Sequence, residues 1–137
     1  MRRAMARMVR MKRHALRPVL ALLGAYHLAL GVTMVIAPRT FFDQIAHYGA
    51  YNDHYIRDVA TFYLALGIVL LIAVARASWQ VPLLTFALLQ YGLHVLNHLW
   101  DVADGEPAWI GPANVAALGL IAVVIAWLLR SQSSATT

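Results

Sequence analysis

Apolar residues in this chain come in long unbroken blocks, separated by short polar segments. Four blocks, 18–37, 59–75, 81–100 and 113–129, contain no Asp, Glu, Lys or Arg. Each is about 17–20 residues long, which at 1.5 Å per residue matches a hydrocarbon core of roughly 30 Å. Buried helices of a soluble protein would need an amphipathic shell around them, and the remaining residues are too few to supply one. The pattern predicts an all-α integral membrane four-helix bundle. It comprises a basic arm (1–17), a four-span domain (18–130) and a short tail (131–137).

The connections carry their own signals. Segment 38–52 contains Phe41, Phe42, Ile45 and Tyr48 at helical spacing, with Thr40 and Asp43 spaced as a capping box and Gly49 as a stop. A short interfacial helix over the bundle is expected there. Asn52 or Asp53 is placed to cap the second long helix, which then begins before residue 59. About five residues join spans two and three, forcing an antiparallel hairpin. Asp104-Gly105 and Glu106-Pro107 mark turns, and Gly111-Pro112 opens the last helix. Gly24 and Gly31 share one face of span one and favour close packing. Leu28-Ala29-Leu30-Gly31 recurs as Leu64-Ala65-Leu66-Gly67, either as an inverted duplication or as shared packing chemistry.

Composition agrees with insertion, the chain being 61% hydrophobic and 12% charged. Charge then predicts orientation. Arg2, Arg3, Arg7, Arg10, Lys12, Arg13 and Arg17 precede span one, and Arg76 and Arg130 fall on the same side; Arg39 and Arg57 alone lie opposite. The positive-inside rule therefore puts both termini in the cytoplasm. All six acids (Asp43, Asp53, Asp58, Asp101, Asp104 and Glu106) lie in or beside the outer loops. Trp79, Trp100, Trp109 and Trp127 sit near span ends, as interfacial anchors do. Anionic lipid headgroups are the expected partner of the basic arm, and nucleic acid is not. Val35-Ile36-Ala37 loosely imitates a signal cleavage site, but Pro38 follows it poorly, so span one is expected to be retained. Met5, Met8 and Met11 offer alternative starts to Met1.

With no cysteine in the chain, thiolate chemistry is excluded, and candidate chemistry gathers on span three. Gln90, His94, Asn97, His98 and Asp101 fall on one stripe about 100° wide, running from mid-span to the outer end. Facing lipid it would be costly, so an interior or wet cavity is expected. His27 in span one and His54, Arg57 and Asp58 at the outer end of span two are candidates to meet it. Together these nine residues define an expected ligand pocket between spans one, two and three, with the aromatic loop as its lid.

Three readings of the pocket stay open. His94 and His98, at i and i+4, would direct two imidazoles at a divalent metal, with Asp101, Asp58 or His54 completing the shell of a metal-dependent membrane enzyme. Haem would need His27 and His94, whose depths differ by roughly 6 Å. Alternatively the stripe binds a small lipophilic or redox ligand such as a quinone, with histidine exchanging protons with the outer side. The third reading is structural: Asp58 and Asp101 pair with Arg57 and the histidines and set helix register or assembly contacts.

The string Tyr51-Asn52-Asp53-His54-Tyr55-Ile56-Arg57-Asp58, continuing into Phe62-Tyr63-Leu64-Ala65-Leu66-Gly67, together with His94-x-x-Asn97-His98, resembles the DoxX-like group of small four-helix bacterial membrane proteins. The resemblance spans roughly residues 18–130 in layout. It implies a bacterial inner-membrane location and an association with quinone-linked sulfur oxidation and membrane redox complexes; a membrane redox partner or a second copy of the chain, in a homo-oligomer, is the expected protein partner. It assigns no catalytic residue.

Overall fold

Helix boundaries follow the breaks in the apolar blocks. The computed structural model describes the backbone of residues 2–133 and the side chains of residues 16–130. It is all-α, with five helices among the described residues: α1 (Arg2–Ile36), α2 (Pro38–Gln44), α3 (Asp53–Ala75), α4 (Ala77–Trp100) and α5 (Ile110–Ser133). Three are long and apolar enough to cross a membrane: α1 over Leu16–Ile36, α3, and α5 over Ile110–Arg130. Helix α4 is as long as α5, but Gln80, Gln90, His94, Asn97 and His98 dilute its apolar run. The basic arm continues α1 as helix; its side chains before Leu16, and with them its headgroup contacts, lie outside the described residues, as does the tail beyond Arg130.

Local chemistry explains the ends. Asn52 caps α3, its Oδ1 accepting from the Tyr55 amide at 3.0 Å, which satisfies one of the free N–H groups of a first turn. The expected capping box at Thr40 and Asp43 is not formed. Helix α2 starts at Pro38 with Ala37 before it, because proline already holds the φ of a first helical position. Asp43 instead accepts from Arg39 Nε at 2.9 Å, and that hydrogen bond, followed by the carboxylate charge, raises the Arg39 guanidinium above the ordinary arginine value. Helix α2 also ends at Gln44, short of Tyr48. Gly49, at φ +65°, turns the chain in the following loop rather than stopping the helix. A single residue, Arg76, links α3 to α4. Buried Gln80 ties that corner, donating through Nε2 to the Ala73 carbonyl at 3.1 Å.

The densest packing is between α1 and α3, and between α4 and α5. A Cβ on Gly31 would stand 2.8 Å from Leu64 Cγ, and one on Gly67 2.8 Å from Leu28 Cγ. The two Leu-Ala-Leu-Gly strings thus dock antiparallel, each leucine seated on the other string's glycine. Packing chemistry shared by the two strings is thus visible in the structure. Gly24 and Gly67 bring their backbones together as well, since a Cβ on either would meet the other's carbonyl at 3.1 and 3.0 Å. This is the small-residue logic of helix association in lipid, where apolar burial between helices supplies little drive.

Two apolar clusters result. One fills the half of the bundle nearest Arg76, from Leu16, Leu20, Leu66, Leu70, Leu84, Tyr91, Ile125 and their neighbours. The other, at the α2 end, joins Met34, Phe41, Phe42, Ile56 and Ala60, and no residue of α4 belongs to it. The perimeter is apolar and open: Leu22, Ile36, Leu89, Leu93, Leu96, Leu120, Val123 and Trp127 are all exposed. Trp100 and Trp109 are exposed at the α2 end, and Trp79 near Arg76.

Candidate functional site

Because α4 takes no part in the second cluster, a cavity of about 300 Å³ lies between it and that cluster. The walls differ in chemistry. Met34, Phe41, Phe42, Ile56 and Val59 form an apolar wall from α1, α2 and α3. His94, Asn97, His98 and Asp101 form a polar wall from the end of α4. The cavity thus lies among α1, α2, α3 and α4, with loop residues Ala46, Tyr48 and Ala50 in its lining.

Hydrogen bonds orient the polar wall. The Gln90 amide donates to His94 Nδ1 at a long 3.4 Å. Asn114 Nδ2 donates to the Ile45 carbonyl at 2.8 Å and to the Tyr48 hydroxyl at 3.3 Å. Having accepted from Asn114, the Tyr48 hydroxyl has its own proton free for His98 Nδ1, 3.2 Å away. Gln90 Nε2 can only donate, so His94 accepts at Nδ1; with the Tyr48 proton assigned to His98 Nδ1 as well, each neutral ring carries its proton on Nε2. No Nε2 partner is found for either ring among the described residues, so the pair offers two N–H donors. The two ring centroids are 4.8 Å apart, with the ring planes tilted by 30°. Asp101 Oδ1 stands 3.9 Å from His98 Nδ1, beyond hydrogen-bond reach. It and Gln90 Oε1 are buried acceptors with no donor among the described residues.

Five of the nine expected site residues do not line the cavity: Gln90, which bonds His94 behind it, and His27, His54, Arg57 and Asp58. His27 is fully buried below the cavity: Nδ1 donates to the Leu23 carbonyl at 2.7 Å, and Nε2 accepts from the Tyr91 hydroxyl at 3.2 Å. Tyr63 lines the cavity and packs on the His27 ring at 5.5 Å, so it separates His27 from the cavity. With both ring nitrogens engaged, His27 has no free position for haem. His54, Arg57 and Asp58 lie on the exposed face of α3 and do not line the cavity. Arg57 pairs with Asp53 at 2.8 Å rather than with Asp58, and Asp58 with His54 at 3.4 Å. The i, i+4 geometry of a helix favours these partners over the adjacent residue. Among the described residues no group of three His, Cys, Asp or Glu side chains is placed to hold a metal ion, so His94 and His98 lack a third ligand of those types.

The sequence reading missed two polar members, the Tyr48 hydroxyl and Asn114. Asn114 had a signal: it is the one polar side chain in block 113–129, and a lone carboxamide in an apolar helix usually bonds another element. Tyr48 had none, since its spacing fitted a helix that ends before it.

Searched against family models, curated proteins and solved structures, the chain matches none.

Proposed function

We propose that the protein is a four-span inner-membrane protein of bacteria, with both termini cytoplasmic, that binds a small lipophilic ligand in the outer half of the bilayer. Helix α4 is the fourth span: its length equals that of α5, and Gln80, His94 and His98 are turned inward. The charge asymmetry supports the orientation, which puts the cavity, the α2 helix and the acids on the outer side.

The observation that carries the reading is the pairing of the two walls. Two imidazole N–H donors face an apolar wall that carries Phe41 and Phe42, and Asp101 adds an acceptor. A flat ring bearing carbonyl oxygens suits this arrangement: its edges accept from His94 and His98, and its faces rest on the aromatic side. A quinone-like ligand has that chemistry, and a titratable histidine beside it suits proton exchange during reduction or oxidation. The DoxX-like resemblance supports a role beside a membrane redox complex, as a ligand-holding subunit.

The test is to purify the protein in mild detergent and identify co-purified lipids by mass spectrometry, with metal content and optical spectrum from the same sample. The expected result is a bound quinone-like lipid that is lost in a His94→Ala, His98→Ala variant. Stoichiometric metal lost in that variant would overturn the reading in favour of a metal enzyme. A loss of thermal stability with neither metal nor lipid bound would leave the stripe a packing feature.

A further inference from the structure

At the outer surface the cavity is lined by Ala46 and Tyr48, and beside them by Ala50 and Asn52, which are exposed. Loop 45–48 is fastened there by the Asn114 bond to Ile45, the Tyr48–Gly105 bridge and the Glu106 amide donating to the His47 carbonyl at 3.1 Å. A second, shallow cleft on that surface, lined by His47, Asp104 and Glu106, shares only Tyr48 and Asp101 with the cavity. Those two side chains are therefore the partition between cleft and cavity.

The side differs in the surface that frames it. Two lining residues on facing helices are exposed: Tyr55, 66% exposed on the first turn of α3, and Asn97 on the last turn of α4. Around Asn97 the α4 surface is apolar, with Leu93 67%, Leu96 63% and Trp100 94% exposed. An opening framed by such a surface faces lipid, and the tryptophan puts it at headgroup depth. Deeper between the same helices Phe62 and Phe86 close the gap, with ring centroids 6.1 Å apart. The Asn97 carboxamide has no hydrogen-bond partner among the described residues. An amide on a lipid-facing surface is costly unless polar atoms meet it.

We propose that the cavity is loaded sideways from the membrane, by an amphiphile whose head is enclosed at His94 and His98 and whose alkyl chain leaves between Tyr55 and Asn97. This rests on reading the cavity as a ligand site and adds its route and its selectivity. At about 300 Å³ the cavity is at the small end of ligand sites, enough for one substituted ring and not for its chain. The chain must therefore stay outside, and the apolar surface beside Asn97 is where it lies. Selection falls on the combination of a flat hydrogen-bond-accepting head with a chain attached at one edge.

The experiment uses the full chain in lipid nanodiscs and two probes, a benzoquinone carrying a decyl chain and the same ring without it, followed by quenching of intrinsic tryptophan fluorescence. Asn97→Phe narrows the mouth without touching the imidazoles. It is expected to weaken the chain-bearing probe by about tenfold or more while the bare ring changes by less than about twofold. Asn97→Ala leaves the mouth open and is expected to change the affinity of both probes by the same factor, which separates narrowing from loss of the carboxamide and from misfolding. Equal weakening of both probes by Asn97→Phe, or no effect on either, would overturn the lateral route while leaving the ligand site standing. If the wild type binds neither probe, the ligand reading fails and the route falls with it.

Discussion

Replacing Gly67 by alanine tests whether the α1–α3 crossing depends on bare backbone. A methyl there would lie 2.8 Å from Leu28 Cγ and 3.0 Å from the Gly24 carbonyl oxygen. Neither neighbour is the free end of a flexible side chain, so the helices must separate by a few tenths of an ångström. Overpacking of this kind costs about 1–3 kcal/mol, and the better helix propensity of alanine offsets up to about 1 kcal/mol. The net expectation is a loss of about 1–2 kcal/mol, or a fall in Tm of roughly 3–5 °C per kcal/mol for a chain of this size. The assay is thermal unfolding in one detergent, followed by circular dichroism. Gly119→Ala is the control, because a Cβ there meets nothing within 4 Å, and it is expected to be neutral or slightly stabilising. Adding Leu28→Ala to Gly67→Ala removes the nearer clash, so the double variant should lose less than the sum of the singles, by about 0.5–1 kcal/mol or more. If Gly67→Ala and Gly119→Ala melt together, the close-crossing argument is wrong.

Three further outcomes follow from the contacts. Tyr48→Phe deletes the hydroxyl shared by His98 and Asn114 and is expected to cost about 1–2 kcal/mol. Its signature is faster amide hydrogen exchange in residues 45–49, and unchanged exchange there would refute the fastening role. Asn52→Ala removes the α3 cap, with a loss of about 1 kcal/mol and a lower Tm; Asn52→Asp should restore most of it. His54→Ala and Arg57→Ala should leave binding of the chain-bearing quinone within about twofold, since neither side chain lines the cavity, whereas His98→Ala should weaken it by about tenfold. Equal losses in all three would return the exposed face of α3 to the site.

Much of the architecture is legible from one dimension because lipid imposes it. A backbone in hydrocarbon must satisfy its own hydrogen bonds, so long apolar blocks become helices whatever their neighbours do. The four blocks, the Asn52 cap, the tight turn at Arg76 and the polar stripe of α4 all depend on spacing along one chain, and spacing is visible in the sequence. Even the glycine faces could be read as packing surfaces, although not which leucine each would receive.

Tertiary structure decided which polar groups meet. His27, level with the stripe by residue count, is turned to Tyr91 and shut off by Tyr63, because rotation about a helix axis is settled by packing and not by depth. His54, Arg57 and Asp58 share the depth of His98 yet point outward, since the face α3 gives to Phe41 and Phe42 leaves them on the other side. Conversely, Tyr48 and Asn114 are 66 residues apart and converge on His98 only once the loop folds over α5. Sequence alone determined a membrane bundle with a polar stripe on one helix; the three-dimensional packing determined that the stripe faces an apolar wall across a cavity.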